Sequence, residues 1–161
     1  MMETDNEHAA AVKFPPPILP IVTIVTGHIL GRFLPLFPDS ALATPERYWI
    51  GGLITVASVL ILVVLPFRQF VESGQDPKPW TPTPEIVVAG LYRFTRNPMY
   101  LGMIVFCIGF AIILSDVWIL ILTPVCGWSI YHLAIRHEEA YLEEKFGESY
   151  RAYKATVRRW I

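Results

Sequence analysis

Charged side chains are scarce in this chain of 161 residues: Asp, Glu, Lys and Arg make up 17% of it, against about a quarter in soluble domains. Positive charge is not in excess either. Thirteen Lys and Arg face fourteen Asp and Glu, a net charge of −1, which excludes the massed cationic surface that nucleic-acid binding requires. Cysteine is nearly absent. Cys107 and Cys126 both fall in apolar segments, so no disulfide framework or thiolate zinc site is expected, and they read as small buried residues. His132, His137 and Glu138 lack the i, i+4 His pair of a zinc helix, so no metal is expected. Phosphate-binding and dinucleotide glycine motifs, a nucleophile-elbow Ser and internal repeats are all missing. What is abundant is apolar: 53% of the residues, with a mean hydropathy of +0.45.

The apolar residues cluster. Residues 18–37 and 48–67 are runs of 20, the second without a charged residue or His, and 99–114 and 117–135 are runs of 16 and 19. About 20 apolar residues carry a helix across the hydrocarbon core, and the short third run can cross where the bilayer thins. The length suits a single domain over 1–161. The fold expected is therefore an all-α integral membrane protein of four transmembrane helices. Only Ser115 and Asp116 separate the last two, which form a tight hairpin. A tail precedes the spans over 1–17, and a cytoplasmic segment follows over 136–161.

Orientation follows from the cations. Lys13, the 68–98 segment (Arg68, Lys78, Arg93, Arg96) and the region after the fourth span (Arg136, Lys145, Arg151, Lys154, Arg158, Arg159) place eleven on one side. Arg47, with Arg32 near the end of the first span, is all that the other side holds. The positive-inside rule puts both termini and the 68–98 segment in the cytoplasm. Ala41-Leu42-Ala43 has the small-x-small form of a signal cleavage site, but an acidic leader (Glu3, Asp5, Glu7) and Arg32 within the apolar run argue for a retained span. Gly27 and Gly31 form a small-xxx-small pair beside His28 and Arg32, which points to close helix packing and permits a dimer without requiring one.

Polar residues concentrate in two stretches. The first, residues 90–102, follows a proline-rich approach (Pro77, Pro79, Pro82, Pro84) that disfavours helix. Arg93 and Arg96 could anchor an anionic group, Asn97 offers donors and acceptors, and Pro98 suits the first turn of the following helix. An ordinary juxtamembrane anchor of Arg and Tyr would use the same residues. In the second, residues 132–147, the fourth span continues as a helix and stops at Gly147. His132, Ile135, Glu139 and Leu142 share one face at helical spacing. A carboxylate on such a half-buried stripe needs a partner, and Arg136 is within one turn of Glu139. A solvated amphipathic helix would also explain the charges, as it does for Glu143, Glu144 and Lys145.

These stretches resemble the isoprenylcysteine carboxyl methyltransferase and phospholipid methyltransferase superfamily of integral membrane enzymes, over roughly residues 80–161. The resemblance rests on elements in order: Gly90, Tyr92 and Arg93; Arg96, Asn97, Pro98, Tyr100 and Gly102; Glu138 and Glu139; Phe146 and Gly147; Tyr150 and Tyr153; Val157, Arg159 and Trp160. Three positions depart from the pattern. Asn97 stands where the prenylcysteine enzymes usually carry His, Arg158 replaces a Pro, and Leu91 replaces a frequent Pro. The first weakens the substrate assignment, and the second implies a looser C-terminal strap.

The resemblance implies methyl transfer from S-adenosylmethionine to a lipophilic small-molecule or prenylated acceptor at the cytoplasmic membrane face, among membrane lipids. Such a cofactor carries a carboxylate, an ammonium and a sulfonium, so its pocket needs a cation, an anion and an aromatic face. Arg96 with the Asn97 loop would serve the carboxylate, Glu139 the ammonium and Tyr100 a wall, within a cofactor set of Tyr92, Arg96, Asn97, Pro98, Tyr100, Gly102 and Glu139. A carboxylate acceptor needs a positive neighbour such as Arg136 or Arg151. An amine acceptor, such as a phospholipid headgroup, must lose a proton, which Glu138 or His132 could take. Both acceptors stay open. Sterol reductases share a similar C-terminal half and use NADPH, but their chains are much longer; a non-catalytic membrane protein is the remaining alternative.

Overall fold

The computed structural model describes residue 12 and residues 15–36, 44–74 and 85–161. Among these the regular elements are all helices: α1 (Ile18–Phe33), α2 (Glu46–Glu72), a single 310 turn (Gly90–Arg93), α3 (Pro98–Leu114), α4 (Val117–Phe146) and α5 (Glu148–Thr156). The acidic leader, Lys13, the end of the first apolar run at Phe37, Ala41-Leu42-Ala43, and Pro77, Lys78, Pro79, Pro82 and Pro84 lie outside the described residues.

Local chemistry sets the helix ends. Pro98 occupies the first turn of α3, where its missing N–H goes unused. Ser115 adopts a left-handed φ of 51° just past the last turn of α3. Asp116 then caps α4, its Oδ1 accepting the Trp118 N–H at 3.0 Å. Two stretches are wound as π-helix, Ser58–Val64 in α2 and Tyr131–Ile135 in α4. The first ends two residues before Pro66, which supplies no N–H to the preceding turn. The second ends three residues before Glu138, the first of the paired glutamates.

Among the described residues two helices are long and apolar enough to cross a membrane: α2 with 27 residues and α4 with 30. The apolar α1 and α3 are shorter, at 16 and 17 residues. A 30-residue helix extends about 45 Å, beyond a hydrocarbon core of about 30 Å. The apolar part of α4 ends at Ile135, and its polar final turns, Arg136–Phe146, project past it.

α2 packs along α3, and α1 along α4 and α3. Glycines permit these approaches. A Cβ at Gly51 would stand 2.7 Å from the Gly109 carbonyl oxygen, and one at Gly27 would stand 2.8 Å from the Ile119 nitrogen. Gly31 is pressed against the Asp116 carboxylate in the same seam, where His28 Nδ1 also reaches Asp116 Oδ2 at 3.3 Å. The Gly27/Gly31 stripe thus packs against Ile119 and Asp116 of the same chain. Cys107 and Cys126 are buried and unbridged. Large apolar side chains cover the outside, among them Phe33, Trp49, Leu53 and Trp128, as suits an integral membrane protein.

The α2–α3 seam has a direct test. Gly51→Leu should lower the melting temperature in detergent by about 2–12 °C, given overpacking of about 1–3 kcal/mol and about 2–4 °C per kcal/mol at this size. Gly52 has nothing within 4 Å of a built Cβ, so Gly52→Ala should leave stability unchanged or raise it by up to about 1 kcal/mol. Equal losses in both variants would refute this helix pairing.

Candidate active site

The loop before α3 and the chain after α5 are laced together by backbone and side-chain hydrogen bonds. Thr95 and Arg158 form an isolated parallel bridge, with the Arg96 N–H donating to the Arg158 carbonyl at 2.9 Å. Thr95 Oγ1 and Asn97 Nδ2 both donate to the Arg159 carbonyl at 3.1 Å. Thr95 Oγ1 also accepts the Asn97 N–H at 3.2 Å. One turn earlier, Tyr153 donates its hydroxyl to the Tyr92 carbonyl at 2.6 Å. Residues 157–160 therefore lie as a strap along the loop, and Thr95, Asn97 and Tyr92 are buried beneath it.

The strap delivers a guanidinium. Arg159 Nε and Nη2 donate to Glu139 Oε1 and Oε2 at 2.9 and 2.8 Å, a bidentate pair. Arg96 reaches the same carboxylate from the loop, Nη2 to Oε1 at 3.1 Å. Arg159 also lies 4.8 Å above the Tyr131 ring. Glu139 and the Arg96 side chain are each only 8% exposed. Two cations and one anion leave a local charge of +1. The donors are not all satisfied: Arg96 Nε and Nη1 and the Tyr92 hydroxyl are buried without a hydrogen-bond partner. Each orphaned donor of this kind costs about 1–3 kcal/mol until something accepts from it. An enclosed site with excess positive charge and unused donors is chemically suited to an anionic group.

Beside it lies a second carboxyl. Tyr100 on α3 donates its hydroxyl to Glu138 Oε1. Glu138 is three residues past the apolar part of α4, and burial pushes its carboxyl up to about 7 from 4.5. The Tyr100 hydrogen bond opposes that rise, and the charge on Glu139 adds to it. Burial and then Glu138 raise the Tyr92 phenol, while Tyr150, 2% exposed beneath the cluster, is raised by burial first.

Of the residues expected from sequence, Tyr92, Arg96, Asn97, Tyr100, Glu138 and Glu139 come together here, with Pro98 starting the helix that carries Tyr100. Others sit elsewhere. Gly102 faces α2, where an added Cβ would stand 2.9 Å from Leu62 Cβ. Arg136 is exposed. Arg151 is also exposed and pairs with Glu143 at 3.4 Å and with Glu148; with the Lys154–Glu143 pair at 2.7 Å it ties α5 to the end of α4. Arg93 lies on the rim of an open groove of about 550 Å³ with Arg68, Gln69 and Glu72. His132 lies against Trp128 in a tilted ring pair with centroids 4.4 Å apart, and is half-buried where Glu139 is buried. The intervening π-helical stretch shifts the hydrogen bonding to i→i+5, and so changes the phase between residues 132 and 139.

Sequence reasoning gave no site role to Arg159, Thr95, Tyr150 or Tyr153. Arg159 had a signal in its place within the ordered motif. The tyrosines had only their spacing, and nothing in the sequence shows that two carbonyls of the strap meet the loop.

Comparison with known proteins adds independent findings. The phospholipid methyltransferase family matches residues 46–149. A protein-S-isoprenylcysteine O-methyltransferase of Dictyostelium discoideum is 29% identical over 124 residues, 75% of this chain and 51% of the relative. Enzymes of the same name from Schizosaccharomyces pombe and Saccharomyces cerevisiae are 32% and 35% identical over 72 residues, 45% of this chain and 30% of each relative. The chain thus spans about half the length of the first of these relatives and matches a smaller share of the other two. No solved structure matches significantly.

The enclosed carboxyl generates a pH test. Folded Glu138 keeps its proton up to about pH 7, whereas an unfolded carboxyl releases it near 4.5. Between these values the folded state binds more protons, so this group's contribution to stability falls as pH rises through that window. Glu138→Gln should therefore flatten the fall in melting temperature between pH 5 and pH 8, and should melt a few degrees above the wild type at pH 8. Parallel pH profiles for the two proteins would show that the carboxyl is not enclosed.

Proposed function

The chain belongs to the phospholipid methyltransferase family, and from that premise we propose that it is an S-adenosylmethionine-dependent methyltransferase acting on a lipid-like or prenylated acceptor, by carboxylate O-methylation of the isoprenylcysteine type. Its relatives' names support that acceptor. The carrying observation is the net-positive Arg96–Glu139–Arg159 cluster, whose buried Arg96 donors are unfilled.

The residues fit the cofactor group by group. Arg96 Nε and Nη1 are available to its carboxylate. Glu139 uses three of about four acceptor positions on the two arginines, which leaves one on Oε2 for an ammonium. Tyr100, on the first turn of α3, provides an aromatic wall beside the reacting centre. When bound, S-adenosylmethionine supplies an electrophilic methyl on a sulfonium and departs as a neutral thioether. The protein's main task is alignment, which the buried loop and strap perform by holding both reactants in one geometry and excluding water. An acceptor carboxylate attacks without losing a proton. Glu138, protonated below about pH 7, then adds no charge to repel it.

The same residue supports a second reading. A carboxyl poised near neutrality can take the proton that an ammonium headgroup must lose before N-methylation. In either case four helices cross the bilayer, the termini and the cluster face the cytoplasm, and the acceptor enters from the lipid.

Calorimetric titration of the full chain in detergent with S-adenosylhomocysteine tests the proposal. Wild type should bind in the micromolar range, and Arg96→Ala should weaken binding about 10- to 100-fold, as expected for lost hydrogen bonds to a charged group. Labelled methyl transfer to a prenylated cysteine, rather than to phosphatidylethanolamine, would choose the first reading over the second. Absence of binding by well-folded wild type would reject both.

A further inference from the structure

Arg159 is the component of the cluster whose role neither the chemistry of methyl transfer nor the family comparison explains. It is not attached as a free surface cation would be. Its carbonyl is fixed by two donors from the loop, Thr95 Oγ1 and Asn97 Nδ2, and its guanidinium covers both oxygens of Glu139. Arg96 reaches that carboxylate through Nη2 alone, and its other two nitrogens stay without a partner in a buried setting. A carboxylate buried beside one arginine ordinarily draws that arginine into a bidentate pair. Here Arg159 already holds the bidentate position.

We infer that Arg159 is a positioning residue: by holding Glu139 from the strap, it keeps Arg96 Nε and Nη1 uncommitted and the cluster net positive, so that Arg96 can bind the anionic end of the ligand. Asn97 serves this arrangement from the loop, because its side chain anchors the strap that carries Arg159. Removing the Arg159 charge lets Glu139 turn both oxygens on Arg96, and the cluster becomes neutral. Removing the Glu139 charge as well restores a lone, uncommitted Arg96. The inference rests on the cofactor assignment above, but it concerns only the carboxylate-bearing end of that ligand.

The test compares two ligands on the full chain by calorimetry: S-adenosylhomocysteine, which carries the carboxylate, and 5′-methylthioadenosine, which lacks the whole amino-acid end. Wild type should prefer the first by about 100-fold. Arg159→Gln should reduce the preference to less than tenfold, through the first ligand and with 5′-methylthioadenosine affinity unchanged. Arg159→Gln combined with Glu139→Gln should match the preference of Glu139→Gln alone to within about threefold, both lying below wild type because the ammonium loses its partner, an outcome that a merely structural role for Arg159 does not produce. Equal weakening of both ligands in Arg159→Gln, or an undiminished preference, overturns the inference. If Arg159→Gln does not fold, the double variant decides against Glu139→Gln alone: equal preferences support the inference, and a preference more than threefold lower in the double variant refutes it. If wild type binds neither ligand, the cofactor assignment itself fails; if it binds and discriminates but the variants do not follow this order, only the role of Arg159 fails.

Discussion

The Glu139 carboxylate is the point on which the polar half of this protein converges. It lies on α4, a helix whose first 19 residues are predominantly apolar and carry no Asp, Glu, Lys or Arg, and it is held by one arginine from the loop before α3 and another from the strap after α5. A charge so enclosed is tolerated only when paired, and removing one partner from such a group typically costs about 3–5 kcal/mol. The loop, the strap and α4 therefore have to arrive together. The other contacts in this region, Thr95 and Asn97 on the Arg159 carbonyl and Tyr153 on Tyr92, hold the backbones in the positions that this pairing requires.

Glycine does the corresponding work in the apolar half. With no hydrophobic drive between helices in lipid, close backbone approach and van der Waals contact carry the association. Gly27 against α4 and Gly51 against α3 allow that approach. The tight packing brings the first turn of α3, with Tyr100, beside the polar end of α4, with Glu138.

Much of this was legible in the sequence. Hydropathy located the apolar helices to within a few residues, and Gly147 as the stop of α4 and a final helix near 148–156 followed from local signals. The ordered motif picked out Tyr92, Arg96, Tyr100, Glu138 and Glu139, which lie in one cluster. The failures have physical causes. His132 was placed on the Glu139 stripe by a 3.6-residue period that a π-helical stretch does not keep. Gly102 was read with the loop because it belongs to the motif, yet its face is decided by a helix 40 residues earlier in the chain. Arg151 was credited with a neighbour's role, although its own carboxylates lie three and eight residues away. Arg159 meets Glu139 across 20 residues and a helix break, a contact that no local period encodes.

On the proposed reading, the continuity of α4 makes depth in the membrane a variable of the candidate site. One unbroken rod carries both the lipid-facing apolar run and, about 6 Å beyond Ile135 at 1.5 Å per residue, Glu139. A rod that meets a thicker or thinner bilayer answers by tilting or sliding. Either motion raises or lowers the two glutamates relative to the headgroups and to any acceptor anchored there by a chain of fixed length. On the proposed reading of a lipid-like acceptor, bilayer thickness would act as a ruler, setting how far the acceptor's reactive end reaches when its tail is fully immersed.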